Sequence, residues 1–351
     1  MKSIKKLLKH SQFAYTMRHN KRMRIAVYAI LAVTVLAVCL LIYSNQRHQK
    51  IYDVKHSSDS DSSSYTVIYN GESYEYNSKI STILLIGIDS TGKMETSTDY
   101  GEQARADNID LIIFNREDKT VKVLPVSRDT ITEVMTYSAQ GYETGKTTTH
   151  LGFAFSFGNG GGASSKNTCN AVSDLLYGVS IYRYVTTNID SIGYANQLIG
   201  GVTVTVPNND LADKYPEMKK GAKVELTDDN VADFLRYRDT DKDASNNSRM
   251  ERQQAFLTAY IDKLKTMTED DYIDMWKQLK SDKSKISTNM SEKMFLNLIG
   301  NIKEYSYNPA TDNLKIEGTD GEEDGYDVFY PDKDRLKELV INTFFKKAED
   351  K

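Results

Sequence analysis

ILLIGIDSTGKMETSTDYGEQARADNIDLIIFNREDKTVKVLPVSRDT, residues 83–130, sets short apolar runs between charged turns. Its first run, ILLIGI at 83–88, is continuous, as in a strand buried on both faces. IDLIIF at 109–114 and TVKVL at 120–124 follow, joined by the turn NREDK at 115–119. Beyond them, further strands are expected at 182–187 and 202–206. Helical spacing appears at 170–176, 192–198, 228–235, 249–264 and 334–344. Strands interleaved with helices over about 270 residues indicate one α/β domain. The chain contains no internal repeat.

Upstream, residues 25–43 (IAVYAILAVTVLAVCLLIY) run for nineteen residues without a charge, Gly or Pro. At 1.5 Å per helical residue they nearly span a hydrocarbon core of roughly 30 Å. A buried core helix would show some polar face, and this run has none, so a transmembrane helix is expected. Residues 1–24 carry eight basic residues and no acidic one, which keeps that tail cytoplasmic and puts the rest of the chain outside the cell membrane as a single-pass protein. No A-x-A cleavage site follows the apolar run, and the large Val38 before Cys39 argues against a lipoprotein signal. Residues 44–63 are Ser/Asp-rich and read as a stalk. Asn70-Gly71 marks a short hairpin, so that 44–78 forms a linker and 79–346 the folded domain.

The 351 residues hold 45 Lys+Arg and 49 Asp+Glu, with mean hydropathy −0.53. Outside the basic tail the net charge is −12, so no nucleic-acid partner is expected. Cys169 is alone in the exterior part, which excludes an intrachain disulfide there and a cysteine zinc site. It reads as a small buried apolar residue.

Three clusters have the residue types that chemistry needs. Asp89 ends the ILLIGI strand, and Arg105-Ala106-Asp107 precedes the next. Ligands collect at strand ends in α/β sheets, and two carboxylates there would hold Mg²⁺ together with substrate phosphates. Equally, each would cap a loop or helix, and spacing alone leaves both open. Arg128 in Ser127-Arg128-Asp129-Thr130 presents a planar fork to a phosphate or pairs with its neighbouring carboxylates. Arg236 and Arg238 share a side if the segment is extended, and Arg249, Arg252 and Gln253 share a helix face. Four like charges there suit a phosphate or diphosphate, or else form a solvated basic face. The DTDKD loop at 239–243 lacks the Gly and Glu of a calcium loop, and GNGGG at 158–162 lacks the Lys-Ser/Thr of a phosphate loop and reads as mobile. His150 has no adjoining nucleophile and reads as structural. No G-x-S-x-G or H-E-x-x-H signature is present, which argues against a serine hydrolase or zinc protease.

Taken in order, ILLIGID with Arg105-Ala106-Asp107, VLPVSRDT, the segment from His150 to Gly178, IGGVTVTVP, Arg236-Tyr237-Arg238 and the run from Arg249 to Gln254 resemble the LytR–CpsA–Psr family of cell-wall proteins. The resemblance covers roughly residues 79–346. It implies an α/β domain with a mixed central sheet flanked by helices, enclosing an apolar tunnel for a polyprenyl chain. It implies transfer of a teichoic acid or capsule-like glycopolymer from a polyprenyl-diphosphate carrier to a muramic-acid hydroxyl of peptidoglycan. By motif, Asp89 and Asp107 belong to a Mg²⁺ (or Mn²⁺) site. Arg105, Arg128, Arg236, Arg238, Arg249 and Arg252, with Gln253, grip the diphosphate. Asp107, Arg128, Asp129, Arg236 and Arg238 form the catalytic set, with Asp107 or Asp129 as the proton acceptor. Two positions depart from the family pattern: Ser127 stands where Pro is common, and Asn246 where a carboxylate is common. A polyprenyl-diphosphate hydrolase and a non-catalytic lipid-binding regulator of envelope assembly are the alternatives.

Overall fold

The computed structural model describes residues 66–237, 245–281 and 285–348. The basic tail, the membrane helix expected at 25–43 and the stalk lie outside the described residues, as does Arg238. Among the described residues no helix is long and apolar enough to cross a membrane.

Contacts divide the chain into two units, one ending at Tyr76 and resuming at Lys347, the other Asn77–Lys346. In the first, β1 (Thr66–Tyr69) and β2 (Glu72–Tyr76) pair antiparallel. Asn70 (φ 50°) and Gly71 (φ 82°) make the turn expected of this dipeptide, whose left-handed backbone matches strand twist. Lys347 Nζ lies 3.0 Å from Glu72 Oε2, and the Ala348 N–H donates to the Ser73 carbonyl at 2.8 Å.

The second unit begins with a meander of β3 (Ile80–Ile88), β4 (Ala106–Asn115) and β5 (Thr120–Pro125), each antiparallel to the next. A hairpin of β6 (Ile131–Tyr137) and β7 (Glu143–His150) follows, then α1 (Phe153–Ser156) and α2 (Gly162–Leu175). β8 (Tyr184–Thr187) returns to the sheet before α3 (Ser191–Leu198) and the pair β9 (Val202–Thr205) and β10 (Lys223–Leu226). Helices α4 (Val231–Arg236), α5 (Ser245–Thr266) and α6 (Glu269–Ser281) lead to β11 (Ile286–Thr288). The chain ends through α7 (Glu292–Gly300), α8 (Pro309–Asp312), the hairpin β12 (Gly318–Glu323) and β13 (Tyr326–Pro331), and α9 (Lys333–Phe344). β14 (Phe345–Lys347) follows directly.

The central sheet has the order β11-β8-β3-β4-β5, and only the β3–β8 pair is parallel. Its two faces differ. On one, Leu84, Ile86, Ile109 and Leu111 are buried, and α1 packs on β4 and α2 on β6 and β8. On the other, Ile83 and Phe114 join buried residues of the helical layer, including Leu198, Phe234, Leu264, Trp276 and Phe295. Here Leu85, Ile112 and Val185, central on the three middle strands, are only partly buried where they pack against this core, as are Leu235, Phe256 and Tyr260 of the helical layer. Inward-facing apolar residues at the middle of a sheet normally meet close packing. Part of their apolar surface nevertheless stays accessible.

The glycine run at 158–162 is a docked segment rather than the mobile loop its composition suggests. The Ser97 N–H donates to the Asn159 carbonyl at 2.8 Å and the Gly101 N–H to that of Gly158 at 3.2 Å, so the loop after Asp89 is fastened to it. Cys169 is buried, and burial pushes its thiol up to about 12.

Candidate active site

An antiparallel meander puts the end of β3, the start of β4 and the end of β5 on one edge of the sheet, and the first two clusters meet there. The register shifts at Gly87 and Ile88, which pair with Asn108 and Ala106, leaving Asp107 as the extra residue of a bulge. Bulges re-aim a side chain out of the ladder. The Asp89 N–H donates to the Arg105 carbonyl at 3.0 Å, and Asp89 Oδ1 accepts the Arg105 N–H at 2.7 Å. One carboxylate oxygen thus closes the loop while the side chain stays exposed.

Arg128 Nη1 donates to Asp107 Oδ1, and its Nε lies 3.5 Å from Asp129 Oδ1. Behind them, Gly152 donates to the Arg128 carbonyl at 2.9 Å and accepts the Ala106 N–H at 3.0 Å, tying the two strand ends together. A Cβ on Gly152 would stand 2.9 Å from the Ala106 oxygen, so the close approach requires glycine. The Ser127 hydroxyl accepts the Asp129 N–H at 3.2 Å, a local turn bond that orders the segment without the common proline.

Asp129 is half-buried, and burial raises its pKa above the usual carboxylate value. Arg128 and His150 nearby pull it down, whereas Asp327 and Asp107 push it up. Four residues of this neighbourhood have no site role in the motif reading: His150 and Phe153, inside the family-like segment from His150 to Gly178, and Tyr326 and Asp327, outside the motifs. His150 Nε2 lies 3.0 Å from the Asp327 carbonyl, which only accepts, so this nitrogen carries the proton. The His150 ring meets Phe153 edge-on at 5.8 Å and Tyr326 at 6.4 Å, and the Arg105 guanidinium lies 4.5 Å over the Phe153 ring. The Phe329 N–H donates to the Asp129 carbonyl at 2.8 Å, which brings the β12–β13 hairpin to the site.

The third cluster has a different build. Arg236 closes α4 instead of lying on an extended segment, and it is exposed. Arg249 is half-buried on α5, and Gln253 Nε2 donates to the Leu235 carbonyl at 3.1 Å. Arg252, expected among the phosphate ligands, is fully buried and donates to protein oxygens. Its Nε meets the Phe234 carbonyl at 2.8 Å, and Nη1 meets Asn208 Oδ1 at 3.0 Å and Asp210 Oδ2 at 2.8 Å. Nη2 donates to the Tyr237 carbonyl. With those donors facing inward, Arg252 holds α5 to the end of α4 and to the 208–210 loop, a correction to its expected role.

Among the described residues no three or more His, Cys, Asp or Glu side chains group into a metal cage. Mg²⁺ commonly uses one or two carboxylates, waters and substrate phosphates, and Asp89 with Asp107 is a donor set of that size.

Fold and site together define an α/β domain with arginines and carboxylates brought together at one end of its central sheet. The chain belongs to the LytR_cpsA_psr family, whose model matches residues 38–344. It is 26% identical over 265 residues to "Polyisoprenyl-teichoic acid--peptidoglycan teichoic acid transferase TagT" of Bacillus subtilis (strain 168), covering 74% of each chain. To the TagV transferase of the same name and organism it is 25% identical over 320 residues, covering 86% of this chain and 75% of that one. The crystal structure of B. subtilis TagV shares the fold, with TM-score 0.55 at 22% identity, over 76% of this chain and 98% of that one.

Proposed function

We propose that this chain is a membrane-anchored phosphotransferase that moves a glycopolymer, teichoic acid or a capsule-like polysaccharide, from a polyprenyl-diphosphate carrier to peptidoglycan. The observation that carries this reading is the convergence of Asp89, Arg105, Asp107, Arg128 and Asp129 on one sheet edge, beside an apolar sheet face that stays partly accessible at Leu85, Ile112 and Val185. A diphosphate head needs guanidinium forks, and an isoprenoid tail needs an apolar slot. Residues 25–43 would anchor the domain outside the cell, within reach of both the carrier and the wall.

In this reading the acceptor hydroxyl attacks the phosphorus that bears the glycopolymer. Its proton passes to the Asp129 carboxylate, which burial makes a stronger base than an ordinary aspartate. The new O–P bond forms as the bond from that phosphorus to the bridging oxygen breaks, and polyprenyl phosphate leaves. Arg105 and Arg128 hold the diphosphate oxygens, and Arg236, Arg238 and Arg249 complete the charge around them. Asp89 and Asp107 would hold Mg²⁺ (or Mn²⁺), which when bound supplies charge neutralisation of the diphosphate.

The test is transfer of a lipid-linked glycopolymer to peptidoglycan by the full chain in vesicles with Mg²⁺. Polymer attached to peptidoglycan is the expected result. Phosphate release without attachment, even with peptidoglycan present, would leave a hydrolase and overturn the transferase.

A further inference from the structure

We propose that Tyr326 is the platform of a carbohydrate subsite that seats a sugar ring of the acceptor glycan strand beside Asp129. The proposal rests on the transferase reading and adds where the acceptor lies.

Tyr326 is 61% exposed, yet it is not loosely held. It follows a tight turn at Asp324 (φ 52°) and Gly325 (φ 80°), in a hairpin pinned at two points. The Phe329 N–H reaches the Asp129 carbonyl at 2.8 Å, and His150 Nε2 donates to the Asp327 carbonyl at 3.0 Å. A fixed, exposed aromatic face invites a flat apolar partner whose rim is polar, as a sugar ring has. The rings also define a direction. From Arg105, stacked on Phe153 at 4.5 Å, the row runs through His150 at 5.8 Å to Tyr326 at 6.4 Å. One end is the phosphate grip and the other is open to solvent. Asp327, next to Tyr326 in sequence and close enough to raise the Asp129 pKa, offers carboxylate oxygens to sugar hydroxyls.

Charge decides which glycan sits there. Residues 317–332 contain seven acidic residues and no basic one. A phosphate-rich donor polymer would be repelled by this hairpin, whereas an uncharged glycan backbone would not. The surface therefore faces the acceptor.

The experiment compares wild type with Tyr326→Ala and Tyr326→Trp in the full-chain vesicle assay. For Tyr326→Ala the expected result is an acceptor KM raised about tenfold, the scale of one aromatic contact, with donor KM unchanged. Tyr326→Trp should restore wild-type acceptor KM. An unchanged acceptor KM, or a rise in donor KM instead, overturns the proposal. Calorimetry with uncharged β-linked N-acetylglucosamine oligosaccharides gives a readout without turnover. Equal binding by wild type and Tyr326→Ala overturns the subsite. Tyr326-dependent binding by a protein that transfers nothing supports the subsite and sinks the transferase reading alone.

Discussion

The Arg252 guanidinium and the Asp210 carboxylate form an ion pair at 2.8 Å in which the arginine is wholly buried. Removing one partner of a buried, hydrogen-bonded pair leaves the other charge uncompensated, at a cost of about 3–5 kcal/mol. Arg252→Ala should therefore lower the urea midpoint by that equivalent. Arg236→Ala, on an exposed side chain, should stay within about 0.5 kcal/mol of wild type while losing transfer. Equal midpoints for the two variants would contradict this division between a buried, structural arginine and an exposed one.

Arg128 meets Asp107 and Asp129 from one fork, and both its side chain and that of Asp107 are about half exposed, at 50% and 46%. Such a pair contributes little to stability, about 0–1 kcal/mol. Under the proposed function its role is to present a planar donor to phosphate oxygens. Arg128→Ala should cut transfer by about 10²–10³ with nearly unchanged unfolding, as loss of a transition-state donor does. Arg128→Lys should recover little, because a point charge lacks the fork. Full activity in the lysine variant would refute the bidentate role.

Asp129 gives the pH dependence a definite sign. Burial and the Asp327 and Asp107 charges raise its pKa, against the pull of Arg128 and His150. A base must be ionised, so kcat/KM should fall as pH drops through this raised value. Asp327→Asn removes a raising charge and should move the acid limb to lower pH. His150→Gln removes a lowering one and should move it to higher pH. Shifts in the same direction, or none, in the pH–rate profiles would exclude Asp129 as the titrating group.

The sheet was readable because β3 carries the continuous apolar run ILLIGI, as a strand buried on both faces does, while IDLIIF of β4 and TVKVL of β5 set mostly apolar residues between charged turns. The two exposed hairpins were not. β7 is ETGKTTTH and β12 is GTDGEE, polar along almost their whole length, so no alternation marks them. Asp324-Gly325 is the same turn signal as Asn70-Gly71, but with the polar GTDGEE on its N-terminal side it passes for a loop. Tyr326 and Asp327 were lost to the site with the second hairpin, whereas His150 and Phe153 lay in a family-like segment that assigned them no site role. Arg252 shows the opposite failure. Helical spacing groups it with Arg249 and Gln253, but spacing does not reveal that the carbonyls of Phe234 and Tyr237 wait on the inner side.

Asp110 lies cross-strand from Leu85 on the sheet face that Ile112 shares, two residues in from the site edge. Burial raises its pKa, and the 2.6 Å hydrogen bond from Asn108 Nδ2 offsets only part of the rise. A folded-state pKa above the unfolded one means that the native state binds the proton more tightly. The contribution of Asp110 to stability is thus complete below the ordinary carboxylate value and is lost as pH rises through the raised one. Asp110→Asn keeps an acceptor for Asn108 but carries no charge. It should unfold at higher urea than wild type near neutral pH, and the gap should close on acidification below the ordinary carboxylate range. A gap independent of pH would assign the change to packing rather than to charge. A charge-free variant that is more stable at neutral pH would mean that the wild-type carboxylate is retained at a stability cost, on the very face proposed to receive the isoprenoid.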